Sequence, residues 1–166
     1  MHRMRKWYLL IALAVVLLDR LSKWTVARAL PLHESVQIVP SFFRLTHVQN
    51  RGAAFGIFDE SPTAWKLGIL IFFSLIALAV VLTILWKNSH QFSLSGIALS
   101  LVLGGAMGNL WDRLMSGYVV DFLDFYIGSY HWPAFNVADS AIVIGAILLV
   151  GEILFTKNPQ RQKAAP

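Results

Sequence analysis

The sequence predicts an all-α membrane protein with four transmembrane helices and a small β-like subdomain in the first loop outside the membrane. Of its 166 residues, 57% are hydrophobic and only 14% are charged, whereas soluble domains have roughly 45–50% apolar and about 25% charged residues. Four apolar stretches are each close to the ~20 residues that cross a bilayer. Length and composition exclude a soluble enzyme, a disordered chain and a multidomain protein, and they favour a single integral membrane domain over residues 1–166.

The four predicted spans differ in how many charged residues they contain. Residues 67–86 and 92–111 carry none. The first span is interrupted by Asp19, Arg20 and Lys23, and the fourth by Asp139 and Glu152. The predicted spans are about 7–29, 65–86, 92–113 and 135–155, and the loops outside the membrane are about 30–64 and 114–134.

The distribution of Lys and Arg predicts the orientation of the chain, because short cytoplasmic loops are enriched in these residues. They occur at the N-terminus, at Lys87 and in the C-terminal tail, whereas the two longer loops contain only Arg44 and Arg51. Both termini are therefore expected in the cytoplasm. The net charge of +5 then reflects topology, and no nucleic-acid partner is expected.

The N-terminal segment also has features of a cleaved secretory signal. Basic residues precede a short apolar run, and Ala27-Arg28-Ala29 has the small-x-small form of a cleavage site. Three charged residues lie between that run and the cleavage site, however, and this is unusual for a signal peptide. The sequence therefore favours a first span that is retained.

The two outer loops differ in their residue patterns. Ser35–Val39 and Phe42–Val48 are rich in β-branched and aromatic residues and predict two short strands, and Asn50-Arg51-Gly52 predicts a turn after them. The second outer loop, Gly117–His131, is aromatic and is expected to lie at the membrane interface, with Asp124 as a solvated loop carboxylate.

Polar residues from three spans are predicted to meet at one depth, near the outer surface of the membrane. Asp19 and Lys23 are spaced i, i+4 on the first span, so they share a helix face and can pair; this pair fits a structural or a functional role equally well. Asn109, Asp112 and Arg113 end the third span, where Asp112 and Arg113 suit an interfacial anchor. Asn136 and Asp139 begin the fourth. Together they predict a polar site open to the outer side.

The residue types limit the chemistry of such a site. The chain has no cysteine and no HExxH or G-x-S-x-G motif, and its five histidines lack metal-ligand spacing, so no metal or cofactor is expected. Ser22 and Lys23 are adjacent and point to different helix faces, which disfavours a Ser–Lys dyad. Carboxylate chemistry remains, in which one aspartate stays protonated while another activates water. Spacing alone does not choose Asp121 and Asp139 over Asp19 or Asp112.

Five blocks of the sequence resemble the signature motifs of the bacterial lipoprotein signal peptidase (signal peptidase II) family, in the same order and across nearly the whole chain. They are DRLSK at Asp19–Lys23, NRGAAFG at Asn50–Gly56, GGAMGNLWDR at Gly104–Arg113, VVDF at Val119–Phe122 and FNVADS at Phe135–Ser140.

The resemblance implies an aspartic endopeptidase of the bacterial inner membrane that acts at the periplasmic face. Such enzymes remove the signal peptide from diacylglyceryl-modified prolipoproteins, just before the lipidated cysteine, and they bind membrane lipid and globomycin-type cyclic peptide inhibitors. No cofactor is implied, and a monomer is expected. The resemblance makes Asp121 and Asp139 the catalytic pair. It assigns a substrate-binding or site-shaping role to Asp19, Lys23, Asn50, Gly52, Gly108, Asn109, Arg113 and Asn136.

Two other classes of protein compete with this interpretation. A small transporter would use Asp19 and Lys23 as a coupling pair, and it would need polar residues along the full membrane depth. Residues 67–86 offer only Ser74 and Thr83. A non-catalytic scaffold would use the G-xxx-G pair Gly104 and Gly108 for helix contacts, and it would tolerate Asp121→Asn and Asp139→Asn.

Overall fold

A computed structural model of the chain describes residues 3–52, 64–88 and 91–155. Residues 53–56 of the NRGAAFG block and the basic C-terminal tail lie outside these ranges. The elements in chain order are α1 (Arg3–Ala29), β1 (Ser35–Val39), β2 (Phe43–Asn50), α2 (Ala64–Asn88), α3 (Leu94–Ser116), β3 (Val119–Ile127), β4 (Tyr130–His131) and α4 (Val137–Phe155).

Each predicted span is a helix. Within the described ranges, three helical segments are long and apolar enough to cross a membrane: Ala64–Lys87, Leu94–Ser116 and Val137–Phe155. The helix α1 is longer, at 27 residues, but it carries Asp19, Arg20 and Lys23 in its second half.

The buried residues of α1 form one stripe along the helix. They recur every three or four positions, which is the spacing that places side chains on a single helical face. This stripe is apolar near the N-terminus and charged further along. It consists of Tyr8, Ala12, Val15, Asp19, Lys23 and Val26.

The helix α3 packs against the other three helices, and its glycines allow the closest approaches. A Cβ added at Gly104 would lie 2.6 Å from the carbonyl oxygen of Ala12 in α1. At Gly105 it would lie 2.3 Å from the carbonyl oxygen of Ala138 in α4. Small residues therefore bring these helices into backbone contact, as in other membrane helix pairs.

The strands that follow α1 and those that follow α3 form one antiparallel sheet in the order β1-β2-β3-β4. The two strands predicted in the first outer loop are confirmed. The prediction that the β-like subdomain lies in the first loop alone is wrong, because the second outer loop supplies β3 and β4. Val119–Ile127 is rich in β-branched and aromatic residues, which favour strands. It becomes a strand by pairing with β2, a partner distant in sequence.

The strand β3 also fixes where α4 begins. The N–H of Leu123 donates to the carbonyl of Phe135 at 2.8 Å, and the N–H of Phe135 donates back to the carbonyl of Leu123 at 3.1 Å. Asn136, the residue just before α4, therefore lies beside the strand that carries Asp121. On the other side of β3, an irregularity in the pairing between Leu45 and Val48 leaves Val48 opposite Asp121.

Replacing Gly105 by alanine is expected to destabilise the protein by about 1–3 kcal/mol, because the new methyl group meets backbone that cannot move aside cheaply. The matched control is Gly68→Ala in α2, where nothing lies within 4 Å of the added carbon. That change should be neutral or slightly stabilising. Thermal unfolding in detergent measures both, and equal melting temperatures for the two variants would contradict the close packing of α3 and α4.

Candidate active site

The first turn of α4 holds Asp139 in place through a reciprocal cap. The side-chain oxygen Oδ1 of Asn136 accepts from the backbone N–H of Asp139 at 3.0 Å. In return, Oδ2 of Asp139 accepts from the backbone N–H of Asn136 at 3.3 Å. This is the geometry of a capping box, with Asn and Asp in the places of Ser and Glu. One oxygen of Asp139 is thereby bound to the helix that carries it.

Asp121 lies in β3 and is almost completely buried, at 3% exposure. Its Oδ1 accepts from Nδ2 of Asn136 at 2.7 Å, and its Oδ2 accepts from Nδ2 of Asn50 at 2.9 Å. The amide of Asn50 is itself held by the N–H of Gly52, which donates to Oδ1 at 2.9 Å. Asn136 therefore links Asp121 directly to the turn that carries Asp139.

A third asparagine completes the cluster from α3. Nδ2 of Asn109 donates to Oδ1 of Asp139 at 2.7 Å, while Oδ1 of Asn109 accepts from Nζ of Lys23 at 3.0 Å. All four carboxylate oxygens of Asp121 and Asp139 thus accept at least one N–H hydrogen bond.

Behind the cluster lies a network of buried ion pairs. Nζ of Lys23 is 2.7 Å from Oδ2 of Asp19 and 2.7 Å from Oδ2 of Asp112. Arg20 pairs with the other oxygen of Asp112, so two cations balance two carboxylates. The predicted Asp19–Lys23 pair is confirmed. Asp112 is only 3% exposed and pairs with Lys23 and Arg20 of α1. The interpretation of Asp112 as an interfacial anchor is therefore wrong.

Asp19 connects this network to α4. Its Oδ1 accepts from the backbone N–H of Ala138 at 2.9 Å, so a carboxylate of α1 satisfies a free N–H in the first turn of α4. A Cβ added at Gly108 would lie 2.7 Å from Oδ2 of Asp19. Gly108 is therefore needed for this carboxylate to fit between the helices.

Arg113 joins the end of α3 to the start of the segment that follows β2. Its Nη2 donates to the carbonyl of Gly52 at 3.2 Å and its Nη1 to the carbonyl of Asn109 at 3.4 Å. The structure thus brings together every residue that the sequence singled out for the site, namely Asp19, Lys23, Asn50, Gly52, Gly108, Asn109, Arg113, Asp121, Asn136 and Asp139.

Asp124 is not the solvated loop carboxylate that the sequence suggested. It is 5% exposed, its Oδ2 accepts from Nε of Arg44 at 2.6 Å, and its Oδ1 lies 2.9 Å from Nδ1 of His131. Arg44 and Asp124 are direct partners in the β2–β3 register. The signal was present in the sequence, since a strand at 119–127 places opposite charges on neighbouring strands.

Burial raises the pKa of Asp121 from its ordinary value of 3.8 to about 6. The negative charge of Asp139 adds to this rise, and the hydrogen bonds from Asn50 and Asn136 and the charge of Lys23 oppose it. Two neighbouring carboxylates in which one readily holds a proton can act as a general acid and a general base.

The structure combines apolar helices long enough to cross a membrane with two carboxylates that Asn136 links at one end of them. The signal peptidase (SPase) II family matches residues 11–155. The chain is 45% identical over 151 residues to a protein named Lipoprotein signal peptidase from Desulforapulum autotrophicum, covering 90% of this chain and 93% of that protein. It is 42% identical over 154 residues to one of the same name from Solibacter usitatus, with coverage of 93% and 92%.

Solved structures agree with the sequence relatives. A bacterial membrane enzyme solved by the in meso method superimposes with a TM-score of 0.82 at 32% identity, covering 93% of both chains. A second structure with the same description gives a TM-score of 0.80 at 33% identity, covering 92% of this chain and 95% of the other. The chain belongs to the signal peptidase II family and is a membrane protease.

The raised pKa of Asp121 makes stability depend on pH. Below the unfolded pKa of 3.8, Asp121 is protonated in both the folded and the unfolded state, so its burial costs no stability. As pH rises through the folded pKa of about 6, the buried carboxyl group must lose its proton, and the free energy of unfolding falls. Relative to wild type, Asp121→Asn should therefore gain up to about 3 kcal/mol in unfolding free energy between about pH 4 and pH 8. Unfolding in detergent across this range measures the difference, and a difference that does not change with pH would contradict the shift.

Proposed function

We propose that this chain removes the signal peptide from diacylglyceryl-modified prolipoproteins, cutting just before the lipidated cysteine. The observation that carries the proposal is the pair of carboxylates, Asp121 and Asp139, which three asparagines hold together at one end of the helices. The relatives named Lipoprotein signal peptidase support the substrate class.

The pair suits hydrolysis of a peptide bond by an activated water. The ionised carboxylate accepts a proton from water as the oxygen of that water attacks the scissile carbonyl carbon. The protonated partner donates to the carbonyl oxygen as negative charge develops there. When the C–N bond of the tetrahedral intermediate breaks, the carboxyl group that took a proton from water passes it to the leaving amine. The proton given to the carbonyl oxygen returns to the other carboxylate, which restores the pair. The reaction needs no cofactor, because the two aspartates supply both the acid and the base.

The remaining polar residues keep this pair in position. Asn50, Asn109 and Asn136 donate to the carboxylates. A shift of either carboxylate by about 1 Å would lower the rate of cleavage by about 100-fold. The buried ion pairs of Asp19 and Lys23 support Asn109 and the first turn of α4. We propose that Arg113 fixes the backbone of Gly52, whose N–H in turn holds the amide of Asn50 toward Asp121.

We infer that α1 also crosses the membrane, which gives the protein four transmembrane spans. The face of α1 opposite its buried stripe exposes large apolar side chains, which suit contact with lipid rather than water. With four spans, both termini lie on the same side of the membrane, and the distribution of Lys and Arg favours the cytoplasm for that side. We propose that the aspartate pair then lies at the periplasmic face of the bacterial inner membrane. A lipid-bearing substrate keeps its cleavage site near that same depth. The exposed residues are Trp7, Leu9, Leu10, Leu13, Leu17, Leu18, Leu21 and Trp24.

The transporter alternative has less support. The hydroxyl of Ser74 donates to the carbonyl of Leu70 and that of Thr83 to the carbonyl of Ala79, both at 2.7 Å. These two side chains of α2 therefore satisfy their own helix instead of lining a path for a solute.

We propose that the enzyme works as a monomer, without nucleic acid, and that globomycin-type cyclic peptides bind at the aspartate pair.

Asp121→Asn and Asp139→Asn are each expected to reduce cleavage by at least about 100-fold, because each removes an acid–base group. The matched control is Asp124→Asn, a buried carboxylate of the same strand that contacts Arg44 and His131 instead of the pair. Purified proteins, each first shown to be folded in detergent, are incubated with a diacylglyceryl-modified prolipoprotein. The size shift on a gel reports cleavage. Full activity in either pair variant would overturn the assignment.

Single cysteines test the four-span topology cleanly, because the natural chain has none. Glu34→Cys and Tyr130→Cys should react with a membrane-impermeant maleimide applied to the outside of the inner membrane. Lys6→Cys and Lys87→Cys should react only after the membrane is permeabilised. Labelling of Lys6→Cys from the same side as Glu34→Cys would show that α1 does not cross the membrane.

A further inference from the structure

The orientation of each asparagine amide in the site is dictated by a partner that can only donate. An amide has a donor end and an acceptor end, so its direction follows from the polarity of its neighbours. The ammonium group of Lys23 has no acceptor, and it therefore draws Oδ1 of Asn109 toward itself. Backbone N–H groups impose the same direction on Oδ1 of Asn136 and of Asn50.

All three amide nitrogens consequently point at the carboxylate pair. For Asn50 and Asn136 the constraint is local, since the donating N–H lies two or three residues further along the chain. For Asn109 the constraint comes from another helix, because Lys23 is 86 residues away in sequence. Oδ1 of Asn109 has two donors, Nζ of Lys23 at 3.0 Å and Nδ2 of Asn136 at 3.3 Å, and Lys23 is the nearer and the charged one. Lys23 therefore contributes most to turning the amide nitrogen of Asn109 toward Asp139.

The two aspartates have different surroundings. Asp139 lies in the first turn of α4, where the helix dipole favours a negative charge, and one of its two hydrogen bonds comes from a backbone N–H that cannot turn away. Asp121 lies in a strand at 3% exposure, and both of its donors are side chains. Burial therefore disfavours the charge more strongly at Asp121.

We propose that Lys23 is a positioning residue for the cleavage reaction: it orients the Asn109 amide, which keeps Asp139 as the proton acceptor of the pair and leaves the shared proton on Asp121. This inference rests on the proposed function, since it assigns the base and the acid of that same reaction. From α3, the positive charge of Arg113 also interacts with the carboxylates of Asp139, Asp121 and Asp112.

A purely structural role for Lys23 makes a different prediction. Lys23 also neutralises Asp19 and shares Asp112 with Arg20, so Lys23→Met leaves the buried carboxylate of Asp19 without a cation and destabilises the protein. The double variant Lys23→Met/Asp19→Asn removes one cation and one anion together, and the ion pair of Arg20 and Asp112 then remains intact. It should recover much of the thermal stability but not the orientation of Asn109.

The decisive experiment compares steady-state cleavage of a diacylglyceryl-modified prolipoprotein by wild type, by the double variant and by Arg20→Gln. Arg20→Gln is the control, because it removes a cation that contacts Asp112 but is 42% exposed and donates to none of the three asparagines. We expect the double variant to lose about 100-fold in kcat with little change in KM, as when one oriented donor is removed from a reacting centre. Arg20→Gln should stay within a few-fold of wild type. If kcat of the double variant recovers along with its melting temperature, Lys23 is merely structural and the proposal is wrong.

The pH profile provides a readout that packing alone would not change. In wild type, kcat/KM should fall as pH rises past about 6, where Asp121 loses its proton. The low-pH side of the profile (the acid limb) reports protonation of the general base. This acid limb should move to higher pH in the double variant. It should move in the same direction in Asn109→Leu, which removes the amide and leaves the ion pairs of Lys23 intact. Unchanged acid limbs in both variants would overturn the proposal while leaving the proposed function intact. Failure of folded wild type to cleave would overturn the function, and the inference with it.

Discussion

The first turn of α4 is the point on which the site depends. A helix begins with N–H groups that have no partner inside the helix, and here three side-chain oxygens accept from them or from the capping residue. They belong to Asp19, Asn136 and Asp139. One of these oxygens comes from another helix, so the cap also joins α1 to α4. Because Asp139 is part of the cap, a reactive carboxylate is held by the same contacts that start the helix.

Burying charged groups in this region is tolerable only because they occur as a balanced set. Asp19 is fully buried and Lys23 is 2% exposed, and a lone charge in such a place would cost several kcal/mol. Lys23 lies between two carboxylates, and Arg20 balances the second of them. Gly108 gives Asp19 the room it needs. The close approach of helices and the charge network are therefore one arrangement.

The four-stranded sheet supplies the second carboxylate of the site. The helices supply Asp139 and Asn109, whereas Asp121 and Asn50 come from β3 and β2. The bridge between Leu123 and Phe135 ties the sheet to the entry of α4. A rigid strand and a capped helix thus face each other across Asn136, and neither carboxylate depends on a free loop for its position.

Local patterns were enough to predict much of this protein. Long apolar stretches predicted the helices, β-branched and aromatic residues predicted β1 and β2, and the i, i+4 spacing predicted the Asp19–Lys23 pair. The sequence blocks also identified the residues that meet at the site. Features that depend on distant partners were not predictable in this way: β3 forms by pairing with β2, Arg44 and His131 bury Asp124, and Asp19 reaches Ala138 across 119 positions. Spacing describes neighbours along the chain, whereas only the folded packing of helices and sheet brings those distant donors and acceptors together and sets the direction of each hydrogen bond.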